Sequence, residues 1–125
     1  MKHKVLIVED DIDDQIIFTE ILNDIDPSFE TACVGNGAEA LDYLESTNTL
    51  PSLILLDLNM PLMNGYDFLE KMKKILVFKN IPVVIFSTSS AVKDIERTRK
   101  LGAQSFFTKS ISLEEMRNNL VKVLF

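Results

Sequence analysis

The chain has one histidine, His3, and one cysteine, Cys33. A single histidine excludes a histidine-based triad, a zinc site of several histidines and a haem ligand pair. A single cysteine cannot close an internal disulfide, which points to a reducing compartment. Long apolar runs are missing too. None approaches the roughly 20 residues that span a bilayer, and the N-terminus lacks a signal-peptide layout. Positive charge is in short supply: 13 Lys and Arg stand against 19 Asp and Glu, a net charge of -6. That sign argues against a grip on phosphate backbones. There is no internal repeat, low-complexity tract or interdomain linker. These absences predict an acidic cytoplasmic protein with neither nucleic acid nor membrane as partner. At 125 residues the chain has room for one domain, and 46% apolar residues can build its core. The last residues read as helix, so a single domain over 1–125 with no output domain is expected.

Apolar runs and amphipathic stretches alternate along the chain. Lys4 to Val8 reads as a strand, and Ile12 to Leu22 as a helix with Phe18, Ile21 and Leu22 on one face. Phe29 to Val34 is a weaker, partly polar strand. Asn36 is placed to cap a helix from Gly37 to about Glu45. Leu53 to Leu56 is a wholly apolar strand, and a loop from Asp57 to Asn64 leads to a helix through Tyr66, Leu69, Met72 and Leu76. Ile81 to Phe86 is a fourth strand that tolerates Pro82 near its start. Ala91 to Leu101 reads as the least amphipathic helix, stopped by Gly102. Ser105 to Thr108 is a fifth strand. Ser112 and Glu115 form a capping-box pattern before a last helix carrying Met116, Leu120, Val123 and Leu124. Three strands without in/out alternation require cover on both faces. The expected fold is therefore α/β: a doubly wound, five-stranded parallel sheet between helix layers.

In such a sheet, sites form at the carboxyl ends of the strands. Those ends carry Glu9-Asp10-Asp11, then Asp57, then Ser87-Thr88, then Thr108-Lys109. If the first and third strands are neighbours, Glu9, Asp10 and Asp57 converge, and like charges that close raise one another's pKa. A hard cation such as Mg²⁺ would neutralise them; a soft metal would need Cys or His, and neither lies at a strand end. A carboxylate such as Asp57 can attack phosphorus and form an acyl phosphate. The reaction then needs charge neutralisation and positioning, which a cation, Lys109 and the Ser87 hydroxyl can supply.

These stretches resemble the receiver domains of two-component response regulators. The likeness is carried by Val8-Glu9-Asp10-Asp11, by the run from Leu55 to Gly65 with its Asp57-x-x-Met60-Pro61-x-x-x-Gly65 pattern, by Pro82 to Ser87, and by Gly102 to Lys109. It covers the whole chain. The resemblance implies a flavodoxin-like (βα)5 fold and a role for each position. Asp57 is the phosphoacceptor. Glu9, Asp10, Asp57 and the backbone carbonyl of Asn59 hold Mg²⁺. Lys109 and Ser87 meet the phosphoryl group, and Phe106 changes rotamer with Ser87. Asn59 and Ser89 tune dephosphorylation. It further implies a phosphohistidine donor on a sensor kinase or phosphotransfer protein, and a downstream protein target met by the fourth-helix, fifth-strand, fifth-helix surface. The chain would act as a switch that catalyses only its own phosphorylation and dephosphorylation, as a monomer or a phosphorylation-linked dimer. Two positions depart from the usual pattern. Ser110 replaces the proline after the lysine, so no cis bond is expected there. The switch aromatic is Phe106, which has no hydroxyl to offer a partner.

Other functions compete. An aspartate-nucleophile phosphatase of the haloacid-dehalogenase type would want a second acid where Asn59 stands. A flavodoxin-like cofactor binder would want a Ser, Thr and Gly-rich loop where the acidic run lies. A receiver-fold scaffold that is never phosphorylated is the third alternative. Several residues have structural readings. Asp11 suits a helix cap, and Asp13 and Asp14 suit the helix dipole. Met60, Met63 and Met72 suit packing, Cys33 a small core position, and Gly65 the backbone at a helix start.

Overall fold

Five strands and five helices alternate through the computed structural model, which describes residues 3–110 and 112–125. In order they are β1 (Lys4–Val8), α1 (Ile12–Ile25), β2 (Glu30–Val34), α2 (Gly37–Ser46), β3 (Leu53–Leu56), α3 (Gly65–Lys73), β4 (Val83–Ser87), α4 (Val92–Lys100), β5 (Ser105–Thr108) and α5 (Leu113–Leu124). All pairings are parallel, and the sheet order is β2-β1-β3-β4-β5. The order reverses between β1 and β3. Their following loops leave toward opposite faces there and open a crevice at the carboxyl edge.

Two apolar layers explain why the central strands lack alternation. Leu6, Val8, Ile54, Leu56, Val83 and Ile85 face Ala40, Leu44, Phe68, Leu69 and Met72 from α2 and α3. Val5, Ile7, Leu53, Leu55, Val84 and Phe86 face Phe18 and Leu22 of α1 and Met116 and Leu120 of α5. Each residue along β1, β3 or β4 therefore meets one layer or the other. Strand β2 lies at an edge and is only half covered, and Cys33 on it is exposed instead of part of the core.

Side chains start four of the helices. Asp11 accepts the N–H groups of Asp13 and Asp14 at 2.9 and 3.3 Å, and Asn36, Asn64 and Ser112 each accept one N–H three residues on. The capping box at Ser112 is half formed, because the Glu115 carboxylate accepts from the Ser110 hydroxyl instead of reaching back. No cis peptide bond occurs among the described residues.

Two helices differ from their sequence patterns. Helix α3 stops at Lys73, because tight turns from Met72 to Phe78 and on to Ile81 take over the backbone bonding. Those turns bury Phe78 and Ile81 and leave Leu76 75% exposed, outside the helix. Helix α4 is not the least amphipathic: its apolar and polar residues segregate more sharply than in the other four. Ile95 and Thr98 lie on the face toward Phe106, with Leu101 packed just beyond the helix, while Lys93, Glu96 and Lys100 face solvent. Even so, Thr98 is the only α4 residue that is fully buried.

Gly65 fixes the crevice loop to the start of α3. Its N–H donates to the Leu58 carbonyl at 3.0 Å, and a Cβ at this position would stand 2.4 Å from the Asp57 carbonyl oxygen and 2.8 Å from Leu58 Cα. Backbone cannot yield as a flexible side chain can. Gly65→Ala is therefore expected to lower stability by about 1–3 kcal/mol and to shift the Asp57 and Leu58 amide resonances. Urea denaturation and NMR would measure both.

Candidate functional site

The sheet ladder brings the acids together. The Asp57 N–H donates to the Val8 carbonyl and the Glu9 N–H to the Val34 carbonyl, both at 3.0 Å. Val8 is in register with Leu56, so the residues that follow them emerge at one level. One carboxylate oxygen from each of Glu9, Asp10 and Asp57 lies within 4.8 Å of the others. Glu9 and Asp57 are buried, and Asp10 faces solvent. Beneath them, the space between Ile7, Phe18, Leu55 and Phe86 is too small for a water molecule.

Burial without water disfavours charge. It pushes the Glu9 carboxyl up to about 7, helped by the Asp57 charge and opposed by Lys109 and the Asp11 N–H. Burial also raises Asp57 above its usual value, against the pull of Lys109 and with a further push from Asp10. The donors are all oxygens, and Asp10 stays open to water. That set fits a hard divalent cation that keeps part of its hydration shell.

Lys109 is the cation that the chain itself provides. Its N–H donates to the Ser87 carbonyl at 2.7 Å, which anchors the backbone just past β5. Its ammonium donates to Glu9 at 2.7 Å and Asp14 at 2.9 Å and stands 3.6 Å from Asp57. Burial alone would lower the Lys109 pKa, but its bonds to Glu9 and Asp14 hold it above the usual lysine value. Asp14 thus does more than complement a helix dipole: it shares the lysine. Gln15 joins it, donating from Nε2 to the Glu9 carbonyl at 2.6 Å. The signal along the chain for Asp14 is its place in the acidic run from Glu9 to Asp14, within the first turn of α1. Asp11, by contrast, spends its carboxylate on the α1 cap.

The remaining predicted residues lie on the loops and strands around the carboxyl edge or in the layer beneath. Asn59 is exposed two residues beyond Asp57. Ser87 is fully buried, and its hydroxyl accepts the Ser89 N–H at 3.1 Å. Phe106 is half-buried on the α3 side of the sheet, beside a depression of about 160 Å³ that Ile95, Thr98 and Arg99 also line. Met60 and Met63 pack at the edge of the same layer and Met72 lies inside it.

The response regulator receiver domain model matches residues 5–121. The chain belongs to that family. The receiver is 33% identical over 124 residues to sporulation initiation phosphotransferase F of Bacillus subtilis (strain 168), covering 99% of its own length and 95% of the relative's. It is 32% identical to two-component response regulator ARR8 of Arabidopsis thaliana, spanning 58% of that longer chain. Among solved structures, the phosphorylated cyanobacterial phytochrome response regulator RcpA superposes with a TM-score of 0.90 at 32% identity, covering 98% of the receiver and 91% of RcpA. The Mn²⁺-bound form of response regulator Rcp1 superposes at 0.85 and 28% identity, covering 97% and 91%. No helix among the described residues is long and apolar enough to cross a membrane.

The raised Glu9 value has a signed consequence. Between its usual 4.5 and about 7, the native receiver keeps a proton that the unfolded chain has lost. Its contribution to stability is present at low pH and is lost as pH rises through that window. In metal-free protein the unfolding free energy attributable to Glu9 is expected to fall by about 1–3 kcal/mol between roughly pH 5 and 7.5. Glu9→Gln should flatten that part of the profile, and a saturating divalent cation should offset the loss. Urea titrations across pH, with and without the cation, would measure both.

Proposed function

We propose that the receiver accepts a phosphoryl group on Asp57 from a phosphohistidine of a sensor kinase or phosphotransfer protein, with Mg²⁺ as cofactor. The observation that carries this reading is Asp57 itself: a buried carboxylate grouped with two other acids and 3.6 Å from an ammonium. The carboxylate forms the O–P bond as the N–P bond of the donor breaks, and the leaving imidazole takes a proton. Mg²⁺ supplies positive charge to the phosphoryl oxygens and would be held by Glu9, Asp10, Asp57 and the Asn59 carbonyl. Lys109 gives up part of its contact with Glu9 and Asp14 to meet the new negative charge. The Ser87 hydroxyl turns to donate to the phosphoryl group, and Phe106 packs toward the space it leaves. The surface of α4, β5 and α5 changes shape and binds a downstream protein. Asn59 and Ser89 set the rate at which water removes the phosphoryl group.

The only chemistry in this reading is the receiver's own phosphorylation and dephosphorylation, and the cytoplasm is its compartment. The names of the Bacillus phosphotransferase and of phosphorylated RcpA support the phosphotransfer reading, and Mn²⁺-bound Rcp1 supports a divalent ion. Ile12 and Ile16, 68% and 50% exposed one turn apart on α1 beside the acids, offer an apolar foothold for the phosphodonor protein.

Incubation with Mg²⁺ and acetyl phosphate, followed by mass spectrometry, is expected to add one phosphoryl group. Asp57→Asn should add none, and Glu9→Gln with Asp10→Asn should slow labelling by at least about tenfold. An unlabelled wild type would favour the scaffold alternative, and turnover of phosphate esters the phosphatase. Ile16→Glu is expected to leave acetyl phosphate labelling intact while slowing transfer from a phosphohistidine protein about tenfold, read by loss of label from the donor.

A further inference from the structure

Helix α4 begins in an unusual way for this molecule. Its N-cap is Ala91, which has no side chain to accept an N–H, whereas the other four helices each have a capping side chain. It also buries only Thr98. A helix with no cap and little buried surface needs another anchor to hold its first turn. Asp94 supplies it from that turn. Its carboxylate accepts hydrogen bonds from the Tyr66 hydroxyl on α3 and, at 2.7 Å, from the Ser89 hydroxyl. Ser89 accepts the Ala91 N–H at 3.1 Å and so satisfies one orphan donor at the helix entry. The Arg97 guanidinium lies 3.9 Å above the centre of the Tyr66 ring, which holds the ring in place from the next turn of α4.

The same chain of bonds reaches the switch hydroxyl. The Ser89 N–H donates to Ser87 Oγ. We propose that Tyr66, Asp94 and Ser89 form a latch that positions the β4–α4 loop and keeps the Ser87 hydroxyl turned toward Ser89, so that phosphorylation of Asp57 must work against it. The inference rests on the phosphoacceptor reading of Asp57 and adds residues to it. For Ser87 to turn toward a phosphoryl group, the Ser89 N–H has to give up its acceptor, and Ser89 moves with the loop. That motion pulls its hydroxyl from Asp94 and leaves Tyr66 to hold α4 alone. The latch therefore sets the resting bias of the switch: weakening it leaves less to oppose the active arrangement. Tyr66, Asp94 and Ser89 are positioning residues; they act on the reacting group through Ser87.

The test uses beryllofluoride with Mg²⁺ as the phosphoryl mimic, with affinity and the Ser87 and Phe106 amide shifts read by NMR. Tyr66→Phe removes the hydroxyl and keeps the ring under Arg97. It is expected to bind beryllofluoride about three- to tenfold more tightly than wild type, with the free-state Ser87 shift displaced toward the bound value. Ser89→Ala removes the other donor to Asp94 and should act in the same direction, and the double variant should gain less than the sum of the two. A merely structural role predicts equal or weaker binding. Wild-type binding that Asp57→Asn abolishes, with affinity and shifts unchanged in both Tyr66→Phe and Ser89→Ala, overturns the latch and leaves the phosphoacceptor reading standing. A wild type that does not bind, or an Asp57→Asn variant that binds equally, overturns that reading and the latch with it. If Tyr66→Phe fails to fold, Ser89→Ala decides alone.

Discussion

Desolvated negative charge at the carboxyl edge of the sheet is the constraint on which the rest of this receiver depends. The ladder places Glu9 and Asp57 at one level between two apolar layers, where water cannot reach their inner sides. Burial raises both carboxyl pKa values, with a further push on Glu9 from Asp57 and on Asp57 from Asp10. Positive charge is the remedy. In the resting arrangement Lys109 supplies it, held against Glu9 and Asp14 with Asp57 at the edge of its reach. A divalent cation and a phosphoryl group would redistribute the same charges. The site is thus an electrostatic balance around one ammonium, which lies within 3.6 Å of Glu9, Asp14 and Asp57.

Few groups separate the acids from the surface. Lys109 is bonded through its N–H to the Ser87 carbonyl, and Ser87 through its hydroxyl to Ser89. From Ser89 the bonds run to Asp94 and Tyr66. Helix α4 stands at the end of this path with one buried side chain and no cap of its own. An element so lightly packed costs little to displace, whereas β1, β3 and β4 are buried on both faces and give the site a rigid floor. The receiver therefore places a stiff sheet under the charges and a loosely held helix at the end of the bonded path.

The acids, hydroxyl and lysine of the site could be read along the chain, each as the residue that follows an apolar run. So could the parallel sheet, since runs without alternation need cover on both faces. Other features could not be read. Cys33 looked like core because it lies in a strand, but that strand is an edge. Leu76 had the helical spacing, but tight turns beyond Lys73 buried Phe78 and Ile81 in its stead. Asp14 looked like a dipole partner for α1 until Lys109, 95 residues away, was found against it.

The difference is one of range. Sequence alone determined where four of the five strands stop, with β4 running one residue further to include Ser87, and which polar residues stand at the ends of β1, β3, β4 and β5, because an apolar run and the turn after it are local properties. It determined the fold class for the same reason. Tertiary structure decided which charges meet: that Lys109 rests on Glu9 and Asp14 nearer than on Asp57, and that Tyr66 bonds to Asp94 across 28 residues. Those pairings depend on strand order and on where each helix is laid across the sheet, and no spacing along the chain encodes either.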